Sequence, residues 1–165
     1  MNIIDTLKAR GFIANSTDLD ALTSHLNSGP KTFYIGFDPT GASFHIGHLV
    51  QIMAMSWLHR AGHRPIGVIG GGTAMVGDPT GKTEVREMLT SETIAHNTAC
   101  FRRQMANFLP VGDPEDTAFV PGKNSAIVID NGEWLLPLRY VDFLRDVGRH
   151  FSVNRMLSAE GTKQR

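Results

Sequence analysis

Three short apolar runs, TFYIGF (32–37), RPIGVIGGGT (64–73) and SAIVIDN (125–131), recur along the chain with amphipathic stretches between them. Each is rich in β-branched or aromatic residues and bounded by Gly, Pro, Asp or Asn, so each reads as a buried strand. Strands that alternate with helices bury both faces in one way: as a parallel sheet wrapped by right-handed crossovers. The expected fold class is therefore α/β, a Rossmann-like parallel sheet with flanking helices. Ligands in such sheets sit beyond the carboxyl ends of the strands. Two glycine-rich breaks, 36–47 and 70–81, follow strands directly. They are expected to converge on one crevice.

The helical stretches follow from spacing and caps. Ile3, Ile4 and Leu7 predict a short helix stopped at Gly11. STDLDALTSHL places Ser16 or Thr17 as a cap before Leu19, Leu22 and Leu26. HIGHLVQIMAMSWLHRAG (45–62) reads as a helix closed by Gly62. A short helix is expected after GDPTGKTE, and a longer one from a Thr90 or Ser91 cap with Ile94, Phe101, Met105 and Phe108 on one face. WLLPLRYVDFLRDVGRHF is expected to be helical after Pro137, with Leu138, Val141, Leu144, Val147 and Phe151 on a stripe. LPVGDPEDTAFVPGKNS (109–125) is the one long loop.

At 165 residues the chain suits one domain. Sixteen basic and sixteen acidic residues cancel, which argues against a surface that coats nucleic acid wholesale. Cys100 is the sole cysteine, so no intrachain disulfide forms and a reducing compartment is favoured. MNIIDTLKARGF does not read as a secretory signal. No apolar run approaches the roughly 20 residues of a membrane span. A soluble, cytoplasmic protein without a membrane role is expected.

Chemistry concentrates in FHIGH and GDPTGKT. His45 and His48, or His59 and His63, could share a metal ion by spacing, yet no Cys or acid stands at ligand distance in sequence and no zinc signature is present. No metal site is expected, and His59 and His63 read as solvated or dipole-favoured residues at a helix end. GDPTGKT falls one residue short of a Walker A loop, and Asp78 inside it would repel phosphate. The dinucleotide fingerprint fails as well, because Met75 stands at the third glycine position. A helix N-terminus, in contrast, suits an anion, and histidine there can donate to phosphate oxygens as charge builds. Gly47 between the histidines leaves room for a flat purine. A pair of core histidines is the competing reading.

GFDPTGASFHIGH resembles the first signature of class I aminoacyl-tRNA synthetases, and the string YIGFDPT…HIGH…AGHRPIGVIGGGT…GDPTGK…FLRDVGRHFSVNRML is similar to the tyrosyl-tRNA synthetases of bacterial type. The resemblance spans essentially the whole chain. It implies that residues 1–165 are the N-terminal part of a catalytic domain that binds tyrosine and ATP, with part of a connective, dimer-forming segment. It implies L-tyrosine, ATP carried with Mg2+, and tRNA(Tyr) as substrates, no tightly bound cofactor, and tyrosyl-adenylate as the intermediate. Tyr34 would meet the substrate phenol, although a core tyrosine is the plain alternative. Gly36 and Asp38 would lie under the adenylate, Asp78 would hold the ammonium, and Thr73 would line the amino-acid pocket. Thr40 and His45 would grip the terminal phosphates, and Gly47 and His48 the adenosine side. Lys82 and Arg86 would close over pyrophosphate, although from the residues alone a solvated basic face is the favoured reading.

Ile35 stands where many relatives carry a cysteine that reaches the ribose, and Gln51 occupies a variable site near the same sugar. The helix that completes the tyrosine pocket, the Lys-Met-Ser-Lys-Ser loop and the tRNA-binding domains have no counterpart in the chain. A truncated nucleotide-binding fold, poorly active alone, is therefore expected. A non-catalytic binding or dimerisation module derived from the same fold is the alternative. Residues 134–157 carry two apolar faces, one expected on the chain's own core and one on a two-fold partner with Phe151 near its centre.

Overall fold

The computed structural model describes residues 2–76, 89–112 and 125–158. Among these residues β1 (Thr32–Phe37), β2 (Arg64–Ile69) and β3 (Ile127–Asp130) form one parallel sheet in the order β1–β2–β3. The register sets Tyr34 beside Ile66 and Ile66 beside Ile127; at the carboxyl edge Phe37 pairs with Ile69 and Ile69 with Asp130. The parallel α/β architecture agrees with the expectation from the sequence.

Alternation along β1 decides which side of the sheet is covered. Phe33, Ile35 and Phe37 point to one face, where Phe37 is buried; Tyr34, on the other face, is 73% exposed. The covered face meets α3 (Ile46–Arg60) and α5 (Ser91–Met105). There Ile52, Met55, Phe101 and Met105 pack with Phe37, Ile69 and Val128 into the core. Gly67 on β2 lets Met105 in: an added Cβ would lie 2.8 Å from its Sδ. Arg64, itself buried, donates from Nε to the Ser125 carbonyl at 3.2 Å and so ties the entry of β2 to that of β3.

Helix ends follow the sequence signals closely in α1 (Ile3–Ala9) and α3. Gly11 (φ 74°) and Gly62 (φ 93°) take the left-handed conformation after each helix. Phe12 N–H then reaches the Leu7 carbonyl and His63 N–H the Leu58 carbonyl, the six-to-one bond of a Schellman ending. Thr90 caps α5, accepting from the Thr93 N–H at 3.2 Å.

Other expectations need correction. Helix α2 (Leu19–Asn27) is capped by Asp18, whose carboxylate accepts the Ala21 N–H at 2.9 Å, and not by Ser16 or Thr17. The second strand ends at Ile69, and Gly71–Ala74 form one helical turn, α4. The reason lies in β3: Asp130 and Asn131 take the Gly71 and Gly72 N–H groups out of the sheet. Phe108 falls beyond the end of α5 and is 43% exposed. The segment after Pro137 is not one helix. After α6 (Gly132–Leu135) it runs as α7 (Tyr140–Asp146), a 3-10 turn at Gly148–His150 and α8 (Val153–Ser158). Leu138, Val141, Leu144, Val147 and Phe151 are all exposed, so the stripe expected to meet the chain's own core does not. The helix expected after GDPTGKTE and most of the loop 109–125 lie outside the described residues.

Candidate functional site

The first break leaves the sheet at Asp38 and is fastened from α5. Pro39 is buried, and its carbonyl accepts from Asn97 Nδ2 at 2.9 Å; Asn97 is buried in turn. Gln104 accepts the Phe44 N–H at 3.1 Å through Oε1 and donates from Nε2 to the Ala42 carbonyl at 3.0 Å. Thr40 N–H folds back on the Asp38 carbonyl at 2.9 Å. The loop is thus held from beneath, while Asp38 and Thr40 stay exposed above.

The start of α3 is capped by histidines. His45 is the N-cap, and its Nδ1 accepts the Gly47 N–H at 3.1 Å. His48 returns the arrangement: its Nδ1 accepts the His45 N–H at 3.2 Å. The two rings stack at 3.8 Å between centroids. A nitrogen that accepts carries no proton, so in each neutral ring the proton sits on Nε2. Local backbone geometry therefore turns both rings into Nε2–H donors. His48 is buried against Phe44 and Phe101. Burial and the neighbouring His45 hold its pKa below the usual 6.5, against an opposing pull from Asp38. Gly47 is needed because a Cβ there would lie 2.9 Å from His45 Cε1. In this structure His45's own ring occupies the space above Gly47.

The second break lies beside the first. Gly70 N–H donates to the Phe37 carbonyl at 2.8 Å, and a Cβ on Gly70 would come within 2.9 Å of Asp38 Oδ1. Thr73 donates from Oγ1 to the Gly70 carbonyl at 3.1 Å and accepts from Asn131 Nδ2 at 3.2 Å. The edge thus runs continuously from the histidine pair through Asp38 and Gly70 to Thr73 and the end of β3. Among the described residues the arrangement offers ring and hydroxyl donors, the carboxylates of Asp38 and Asp130, and open backbone.

Tyr34 and Gly36 share the exposed face of β1, and nothing lies within 4 Å of a Cβ placed on Gly36. A core role for Tyr34 is excluded by its exposure. Ile35 faces the other way, against the core. Asp78, Lys82 and Arg86 lie outside the described residues. His63 is not solvated as expected: it is 3% exposed, and its Nδ1 accepts the Lys31 N–H at 3.2 Å. His59 buries its Nε2 without a hydrogen-bond partner. Among the described residues no three His, Cys, Asp or Glu side chains are placed to hold a metal ion.

Sequence reasoning passed over four residues that build this edge: Asn97, Gln104, Asp130 and Asn131. Two polar residues directly after an apolar strand, as in VIDN, were a usable signal for the last pair. Asn97 and Gln104 carried none, since a polar residue on an amphipathic helix reads as solvated.

The family model described as tRNA synthetases class I (W and Y) matches residues 26–165. A tyrosine–tRNA ligase of Acetivibrio thermocellus is 52% identical over 164 residues, covering 99% of this chain and 38% of that protein. One from Clostridium perfringens is 51% identical over the same extent. The crystal structure of a C-terminally truncated mitochondrial tyrosyl-tRNA synthetase from Aspergillus nidulans superposes with a TM-score of 0.75 at 25% identity, covering 99% of this chain and 47% of that one. The chain thus spans well under half the length of the curated relatives it matches.

Proposed function

Since the chain belongs to the class I tRNA synthetases of the tryptophan and tyrosine type, we propose that it is the N-terminal part of the catalytic domain of an enzyme that activates L-tyrosine with ATP and charges tRNA(Tyr). The observation that carries the reading is the reciprocal cap of His45 and His48, which fixes two Nε2–H donors at the carboxyl edge of a parallel sheet.

The chemistry asks little covalent work of the protein. The tyrosine carboxylate attacks the α-phosphorus of ATP in line, tyrosyl-adenylate forms and pyrophosphate leaves with Mg2+. Catalysis then consists of positioning and of donors aimed where charge develops. In this reading Thr40 and His45 face the terminal phosphates, while His48 and Gly47 border the adenosine. A neutral His48 suits that task, since it donates without adding a charge. Asp38 and Gly36 lie below the adenylate, and the open face above Gly36 leaves room for it. Tyr34 offers its hydroxyl to the substrate phenol. A hydroxyl partner that the bound substrate covers rejects phenylalanine, which would leave it unpaired. Thr73 lines the amino-acid side, Asp78 holds the ammonium, and Lys82 and Arg86 meet the leaving pyrophosphate.

The same reading makes residues 134–157 a two-fold interface and places the protein in the cytoplasm. Among the described residues no helix is long and apolar enough to cross a membrane. Tyrosine-dependent ATP–pyrophosphate exchange tests the activity. Exchange is expected to be very weak for this chain and strong when residues 1–165 replace the matching segment of a full-length relative. Strong exchange by the replaced enzyme with phenylalanine but not tyrosine would refute the substrate.

A further inference from the structure

Three consecutive glycines, Gly70 to Gly72, form the turn that delivers Thr73 to the carboxyl edge of the sheet. Such a turn brings no side chain to pack and has the largest backbone entropy to lose. Its shape must be imposed from outside. Gly70 N–H is held by the Phe37 carbonyl; the next two amides are held by the end of β3.

Asp130 is the last residue of β3. Its Oδ1 accepts the Gly71 N–H at 3.0 Å and the Gly132 N–H at 2.8 Å. Those glycines open α4 and α6, so one carboxylate oxygen serves the first turn of both. The fit depends on glycine, because a Cβ on Gly71 would overlap both Asp130 oxygens. Asn131 completes the hold, accepting the Gly72 N–H at 2.8 Å and donating to Thr73 Oγ1.

We propose that Asp130 is a positioning residue for the amino-acid side of the site: its carboxylate sets the placement of the Gly70–Thr73 turn, and hence of Thr73. The inference rests on the tyrosine-activation reading. Charge-assisted bonds from two amides are strong enough to define one conformation in a segment that has none of its own.

The test compares Asp130→Ala, which removes the acceptor, with Asp130→Asn, which keeps Oδ1 in place. Amide hydrogen exchange at Gly71 and Gly132 is measured on this chain, and L-tyrosine affinity by calorimetry on a full-length relative whose matching segment is replaced by residues 1–165. Asp130→Ala is expected to speed exchange at both amides and weaken L-tyrosine binding by about tenfold or more, the size of one lost charge-assisted hydrogen bond. Asp130→Asn is expected to stay within about threefold of the parent in both. Gly71→Ala presses its Cβ against the Asp130 carboxylate and displaces the turn while leaving Asp130 in the sequence, so it preserves the comparison if Asp130→Ala folds poorly. Its effect on affinity should shrink in the Asp130→Ala background. Unchanged exchange at Gly71 and Gly132 would overturn the proposal, as would faster exchange with unaltered tyrosine affinity, or Asn as damaging as Ala. A replaced enzyme that binds no L-tyrosine before any further substitution would defeat the activation reading separately, and the exchange measurements would still decide whether Asp130 holds the turn.

Discussion

His48 and His63 are buried imidazoles held neutral by what surrounds them. Burial lowers both pKa values from 6.5, assisted by His45 in one case and by Lys31 and His25 in the other. The folded chain therefore binds fewer protons than the unfolded chain just below pH 6.5. Stability is complete above that value and falls as the pH drops towards the folded-state pKa values. Urea midpoints are expected to decline between pH 7.5 and 5.5, and His63→Asn, whose Oδ1 can accept the Lys31 N–H, should flatten part of the decline. A pH-independent midpoint across that range would contradict this account. The place of His48 at the mouth of α3 was legible, because the histidine pair opens an apolar helix directly after a glycine-rich break. The burial of His63 was not, since nothing in AGHRP distinguishes a histidine leaving a helix into solvent from one folded under the start of β1.

At the scale of elements, the alternation of strands and helices was readable because its period and its Gly and Pro punctuation are local. The failure at the second strand was non-local. Gly70–Thr73 continued an apolar run and read as strand, yet the carboxyl end of β3 pulls the Gly71 and Gly72 amides away. The stripe from Leu138 to Phe151 had helical spacing, yet Gly148 lies within it and a 3-10 turn breaks the helix there. Contacts across the sheet also set what β2 tolerates. Gly67→Ala would press on Met105 Sδ, the far end of a flexible side chain in a fully buried setting. An overpacking cost of about 1–3 kcal/mol is expected, read from urea unfolding. A simultaneous Met105→Leu, which removes the sulfur from that spot, should recover part of it.

For the whole molecule, the segment from Trp134 onward presents Leu136, Tyr140, Val141, Phe143, Leu144 and Phe151 to solvent. Large apolar residues exposed together on one segment suit an interface, and a second copy meeting them about a two-fold axis is the commonest solution. Sedimentation at micromolar concentration is expected to give a dimer that Phe151→Asp dissociates. A strict monomer in both would end that idea. The ties that assemble the crevice carry a different consequence. Asn97 to Pro39, Gln104 to Ala42 and Phe44, and Asp130 to Gly71 each join residues 58 to 62 positions apart. The histidine caps, in contrast, reach only two or three positions. On a ribosome adding roughly 5–20 residues each second, the two donors can take their tautomers as α3 forms. The floor that aims them must wait several seconds for α5, and the glycine turn, made later, waits about as long for β3. The site is thus built in order of synthesis, its chemistry first and its frame last.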